Sequence, residues 1–302
     1  MARGSSTPSF AAAGCGAACL LVAACGVGLA IRGARPVLSA NPSFNDKAAF
    51  LRRALAGGCD VLIEGSSVAR GGIDGVGLSA ALGRRVVNTG YNGASASESL
   101  PVYRAIRARC RPGVLVLPMQ YIDFQAGSNA DNDWPGYARF VSGQSGPGLI
   151  ALYLRRWPLT LGGTLTRDLP VDASGSDMLP CVNTVPKVPR WRDYLNDPVE
   201  ELTAKDEVAI AELVRTAVSD GAAVYAIRLP MRLDAERTLA TGTSDRVWRA
   251  IAQAVAGAGG HWIALDNRGA FPDEDFSDFM HLNACGAWKV TRTLTDAVRS
   301  AS

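Results

Sequence analysis

Short, mostly apolar runs recur along this chain, each neighboured by a segment with apolar residues at helical spacing. The runs predict strands at Asp60–Glu64, Arg85–Thr89, Gly113–Leu117, Ala222–Leu229 and His261–Leu265. Between them, Asp46–Ala56 carries Ala48, Leu51 and Leu55 on one helical face and is stopped by Gly57-Gly58. Ile73–Leu82, Ser95–Arg109, Pro198–Ser219, Ser244–Ala256 and Asn283–Val298 read as further helices. Strands without polar alternation are expected where both faces of a sheet are covered. Alternating strands and helices therefore predict an α/β fold, a three-layer α/β/α doubly wound parallel sheet.

The rhythm breaks between Tyr121 and Val199. This stretch is rich in glycine, proline and aromatics (Phe124, Trp134, Tyr137, Phe140, Tyr153, Trp157, Trp191, Tyr194), with one helical piece near Leu149–Trp157. A structureless loop of that length does not fit a compact domain, so it reads as an insertion or lid. Its aromatics would line a sugar or lipid groove, or would form a small core of their own.

A chain of 302 residues with 48% apolar and 20% charged residues has the composition of a folded protein. Its net charge of +3 is too small to suggest a nucleic-acid footprint, and no nucleic-acid partner is expected. Phe10–Ile31 contains no charged residue. As a helix it would be roughly 33 Å long, enough to span a bilayer. An uncleaved signal anchor, a cleaved signal peptide and a lipoprotein signal compete for it. Val22-Ala23-Ala24-Cys25 resembles a lipobox, but the apolar run continues through Ile31, and Leu38-Ser39-Ala40 matches a cleavage site poorly. The signal anchor is preferred. This divides the chain into a tail (1–9), a transmembrane anchor (10–31), a linker (32–45) and a catalytic domain (46–302) with its insertion at about 121–199. Arg3 precedes the span while Arg32, Arg35 and Lys47 follow it, so the charge asymmetry does not itself favour export of the domain.

Cys15, Cys19 and Cys25 lie in the apolar run and serve as small apolar residues. Cys59, Cys110, Cys181 and Cys285 would form two disulfides, in any of three pairings, if the domain is exported; otherwise they are buried thiols. With no Cys-x-x-Cys pair and two histidines, no metal site and no cofactor are expected.

Candidate chemistry begins at Val61-Leu62-Ile63-Glu64-Gly65-Ser66-Ser67-Val68, a buried strand running into a Gly-Ser-Ser turn. Such a turn at the carboxyl end of a parallel strand can present a serine nucleophile, though the same residues also make ordinary helix caps. A serine hydroxyl needs a base within hydrogen-bond reach. Asp278-Phe279-Met280-His281 supplies an imidazole and, three residues before it, a carboxylate able to orient it. His261, at the start of a strand beside Trp262, reads as structural. Glu64 is out of place, since a buried strand end usually avoids a carboxylate.

Gly65-Ser66-Ser67-Val68, the loop Val87-Asn88-Thr89-Gly90-Tyr91-Asn92-Gly93-Ala94-Ser95, and Asp278-x-x-His281 before the last helix resemble, in order and spacing, three blocks of the SGNH/GDSL hydrolase family. The resemblance spans the chain from about Asp60 to its end and implies a flavodoxin-like sheet order. It further implies Ser67 as nucleophile, with Ser66 where many members carry Asp, and His281 and Asp278 as base and orienter. The Ser67 and Gly93 backbone N–H groups are implied as oxyanion donors. The family's third block, Gly-x-Asn-Asp, is replaced by Pro118-Met119-Gln120-Tyr121, and Gln120 falls in register with the oxyanion-binding Asn while being one methylene longer.

The apolar N-terminus and the Gly-Ser-Ser variant resemble a membrane-anchored branch of that family, including the O-acetylation proteins of alginate biosynthesis and the D-alanyl transfer protein of teichoic acid modification. By that resemblance the chain is expected to be a serine-dependent O-acyl transferase or esterase, the acyl group acetyl, acting on a cell-surface or exported polysaccharide through an acyl-Ser67 intermediate. The expected location is the inner membrane, single-pass, with the domain in the periplasm and a membrane-bound O-acyltransferase as a partner. Two other readings stand beside it: an SGNH-like scaffold that binds a glycan or membrane partner with little turnover, and a lipid esterase or thioesterase with a deep apolar slot.

Overall fold

The computed structural model describes residues 37–124, 131–144, 171–181, 204–239, 242–265 and 269–301. The run Phe10–Ile31 and the helical piece near Leu149–Trp157 fall outside these residues. Among the described residues no helix is long and apolar enough to cross a membrane.

Five strands, β1 (Val61–Ile63), β2 (Val86–Asn88), β3 (Val114–Met119), β4 (Ala223–Arg228) and β5 (His261–Ala264), form one parallel sheet in the order β2-β1-β3-β4-β5. Val61 pairs with Val86 on one side and Val114 on the other, which aligns the carboxyl ends of the three strands. Side chains alternate between two cores. Val61, Ile63, Val114, Val116, Tyr225 and Ile227 face one, whereas Leu62, Leu115, Leu117, Val224 and Ala226 face the other. This is the period-two geometry of a strand buried on both faces.

On the first face lie α2 (Ser67–Gly72), α3 (Gly75–Leu82) and α9 (Ala284–Ser300), contributing Val68, Leu78, Ala287, Val290 and Leu294. The second face is covered by α1 (Pro42–Ala54), α4 (Ser99–Ile106), α5 (Trp134–Val141), α6 (Ala204–Ser219) and α8 (Gly242–Gly257). A short helix, α7 (Leu233–Leu239), follows β4. The two cores on opposite faces make the three layers that the apolar strands imply.

Local sequence accounts for most boundaries. Asn41 caps α1, its side chain accepting from Ser43 N–H, with Pro42 in the first turn where a missing N–H costs nothing. Gly83, at φ 63°, ends α3. The stretch expected to be a linker instead packs: Val37 and Leu38 are buried, and α1 begins at Pro42. The Ser95–Arg109 helix is divided, a 3-10 turn at Ala96–Glu98 preceding α4, because Ser95 and Glu98 form a capping box. In α6 it is Ile210, Leu213, Val214 and Ala217 that meet the core, while Val208 and Val218 are exposed.

Parts of the insertion join this framework. Trp134 and Tyr137 pack with Phe44 and Tyr91 at ring separations of 4.7–5.8 Å, so these aromatics belong to the main core and not to a groove. Residues 171–181 run along the β2 edge, where Asn88 N–H donates to Ser174 O (2.7 Å), then cross α2, where Asp177 pairs with Arg70 (2.6 Å). The buried Lys47 ammonium donates to Asn88 O and Gly175 O, and burial draws its pKa down to about 7.

Of the three cysteine pairings left open by sequence, the structure shows Cys59–Cys110 and Cys181–Cys285, each with Cα atoms 5.3 Å apart. The second fastens residues 171–181 to the start of α9. Changing both Cys181 and Cys285 to serine releases a closure 104 residues long in sequence separation. It is expected to lower the unfolding free energy by about 2–4 kcal/mol, measured by urea denaturation without reductant. An unchanged midpoint would show that the pair contributes no constraint.

Candidate active site

β1 is followed by a turn whose residue types are set by crowding. Gly65 has φ 146°, and a Cβ there would lie 2.9 Å from Ala69 Cβ and 3.0 Å from Pro118 O. Only glycine fits. Ser66 is the N-cap of α2, its Oγ accepting from Val68 N–H (3.2 Å), and Ser67 is the first helical residue. Its N–H belongs to the first turn, where backbone donors have no intrahelical acceptor. Ser67 is partly exposed, at the carboxyl end of the sheet between β2 and β3, the crevice position of open parallel sheets.

The base arrives from the other end of the chain. An antiparallel bridge, Phe276 with Leu282, closes the loop that carries it, and Ser277 N–H and Oγ–H both donate to His281 O (2.8 and 3.1 Å). Asp278 Oδ1 accepts from the N–H groups of Met280 (2.8 Å) and His281 (2.7 Å), while its Oδ2 lies 2.6 Å from His281 Nδ1. His281 Nε2 lies 2.9 Å from Ser67 Oγ. Burial by itself would raise the Asp278 carboxyl, but its bonds to the His281 ring and to the Met280 and His281 N–H groups outweigh this and hold it below the ordinary aspartate range. An ionised Asp278 can only accept, so Nδ1 carries the hydrogen and Nε2 presents its lone pair to the Ser67 hydroxyl. The structure thus brings Ser67, His281 and Asp278 into one hydrogen-bonded chain across a sequence separation of 214 residues.

The loop after β2 lies against the nucleophile turn: Thr89 N–H and Oγ–H both donate to Ile63 O, and Tyr91 N–H donates to Gly65 O. At Gly90 a Cβ would fall 2.8 Å from Ser66 O, so glycine is required there too, a constraint that sequence spacing does not reveal. Gly93 lies further out on this loop, exposed, at φ 74°. Asn41 steadies this part of the loop by donating to Asn92 O (2.7 Å).

Gln120, expected as an oxyanion donor, has its amide hydrogens engaged elsewhere. It is buried, and its Nε2 donates to Pro230 O (2.8 Å) and Met280 O (2.7 Å), which engages both amide hydrogens.

Two buried carboxyls behind the nucleophile complete the surroundings. Asp123 accepts from Gln120 N–H (2.7 Å) and lies beside Ser66. Burial raises it to about 7, although Ser66, Gln120 and the nearby His281 all oppose the rise. Glu64 is 1% exposed, neither carboxyl oxygen has a hydrogen-bond partner among the described residues, and burial raises its pKa well above the ordinary value. Both carboxyls border a small void of about 10 Å³, shared with Ser66 and Leu213 and large enough for one water. Glu64 was conspicuous in sequence; Asp123, inside an apolar Tyr-Ile-Asp-Phe turn, gave no comparable signal. His261 stacks on Tyr225 (5.0 Å), on β5, and takes no part in this arrangement.

Comparison of the chain with protein-family models, with curated proteins and with solved structures finds no match.

Proposed function

We propose that the chain is an SGNH-type serine acyltransferase or esterase, and the observation that carries this reading is the Ser67–His281–Asp278 hydrogen-bond chain. Ser67 Oγ attacks the carbonyl carbon of an acyl ester as His281 Nε2 takes its proton, and Asp278 stabilises the resulting imidazolium. The oxyanion is assigned to the Ser67 and Gly93 N–H groups, following the family pattern. Gln120 is left out of that set because its amide is engaged. Collapse expels the alcohol, protonated by His281, and leaves an acyl-Ser67 ester. A polysaccharide hydroxyl or water, deprotonated by the same imidazole, then takes the acyl group. The two paired disulfides support an oxidising compartment, hence a domain on the outer side of the inner membrane held by Phe10–Ile31. A membrane-bound O-acyltransferase that delivers the acetyl group would complete the assignment.

Engagement of Gln120 also favours a second reading, a binding scaffold with slow turnover, since loss of one oxyanion donor typically costs about 2.7–4 kcal/mol. Intact-mass analysis after a fluorophosphonate probe or para-nitrophenyl acetate separates the two. One adduct on the wild type, absent from Ser67→Ala, is the expected result. A folded wild type that takes no adduct leaves the scaffold, and an adduct that survives Ser67→Ala removes Ser67 as nucleophile.

A further inference from the structure

Gln120, at the end of β3, sits between the two halves of the candidate triad. Its side chain reaches the loop after β4 at Pro230 O and the His281 loop at Met280 O, the carbonyl one residue before the imidazole. Its backbone N–H donates to Asp123 (2.7 Å), and Asp123 borders the same small void as Ser66, the residue before Ser67. Two carbonyls facing one amide fix its orientation, because the flipped amide would set three acceptors against one another. We propose that Gln120 is a positioning residue: it ties the histidine loop to the carboxyl end of β3, the strand paired with β1 and its serine turn, and so sets the Ser67–His281 distance, taking no part in oxyanion binding.

Packing of Phe276 and Leu282 in the core holds the ends of the loop, and Met280 packs against both cores. Arg232 N–H donates to Phe279 O (3.0 Å), whereas the bonds at Ser277, Asp278 and His281 are internal to the loop. The internal bonds hold the shape of Asp278–His281 as a unit, but they do not fix where that unit sits relative to Ser67. Gln120 supplies this second constraint directly behind Met280. A shift of about 1 Å in such a contact typically lowers rate on the order of a hundredfold.

This inference deepens the acyl-serine reading, and its test separates the two. Gln120→Leu keeps side-chain bulk and removes both donors; Gln120→Glu replaces an amide that donates twice by a carboxyl that donates once when neutral and not at all when ionised. Two readouts are taken on the full-length protein: the rate of fluorophosphonate labelling at Ser67, and the far-downfield proton resonance of the His281 Nδ1–H bonded to Asp278. The expected result for Gln120→Leu is labelling slowed on the order of a hundredfold, together with a broadened or lost resonance. Gln120→Glu should label progressively more slowly than wild type as its carboxyl ionises, which keeps the test alive should the leucine variant not fold. Slow labelling with an unchanged resonance would make Gln120 an oxyanion donor and overturn the proposal, as would a variant that labels at the wild-type rate. A wild type that never labels defeats the acyl-serine reading alone, since the resonance still reports whether Gln120 holds the histidine.

Discussion

Replacing His281 by alanine is expected to slow acylation of Ser67 by on the order of 10⁶-fold, and replacing Asp278 by asparagine by about 10⁴-fold. The first value reflects the loss of the one group that lies within reach of the Ser67 proton in the described structure. The second follows from the main chain. Asp278 Oδ1 is committed to the N–H groups of Met280 and His281, so an asparagine must keep its oxygen there. Its Nδ2–H₂ is then turned toward His281 Nδ1, which has to become an acceptor. The hydrogen moves to Nε2, and the imidazole faces Ser67 as a donor that cannot accept a proton. The fold is untouched because both main-chain bonds survive. Stopped-flow labelling with an activated acyl ester measures both variants. An Asp278→Asn rate within about tenfold of wild type would mean that Asp278 does not set the tautomer, and the triad would reduce to a serine–histidine pair.

Much of this arrangement was legible because it depends on short-range rules. Five apolar runs with polar ends mark five strands, buried except at the edge strand β5, and their parallel pairing follows from the intervening helices. Asp278 and His281 are three residues apart, so their contact is local, and the Gly65-Ser66-Ser67 turn announces itself through the small residues that a crowded strand end demands. Three short helices, α2, α5 and α7, were not evident, because segments of six to eight residues carry little periodicity and stand on caps and tertiary packing.

Where sequence reasoning went astray, the cause is long-range geometry. Register alone put Gln120 where an oxyanion donor belongs, but register cannot say that two carbonyls, 110 and 160 residues away, would claim its amide. Val37 and Leu38 sit among prolines and small polar residues and so looked like linker, yet the core accepts both. Trp134 and Tyr137 had two readings in an irregular stretch; contact with Phe44 decided between them. In each case local composition left several partners open, and the three-dimensional neighbour made the choice.

Glu64→Gln is expected to remove a stability loss that the wild type suffers as pH rises. The native carboxyl is buried without a partner and binds its proton well above the ordinary glutamate pKa, whereas in the unfolded chain it titrates near about 4.3. Between these values the native state holds the extra proton, so the unfolding free energy falls by about 1.4 kcal/mol per pH unit. Below about 4.3 both states are protonated and the penalty vanishes. Asp123 acts in the same direction, its window ending at about 7. Lys47, drawn down to about 7 in the folded state, adds an opposite slope above that pH, because there the unfolded chain holds more protons. The Lys47 slope is absent below about pH 7, so the comparison is read below that pH. Glutamine is neutral throughout but buries an amide of its own, which sets a pH-independent offset of about 1–3 kcal/mol. The prediction consequently concerns slope: as pH rises above about 4.3 the variant gains on wild type by up to about 1.4 kcal/mol per pH unit for as long as native Glu64 keeps its proton, read from urea unfolding in a pH series. Parallel curves would show that Glu64 ionises as readily in the fold as outside it. Burial of this proton also bears on the chemistry. An ionised Glu64, three residues before the nucleophile, would oppose the oxyanion that forms at Ser67; a neutral one does not. Glu64→Gln should therefore label at close to the wild-type rate wherever the native Glu64 keeps its proton, even though its stability follows a different course with pH.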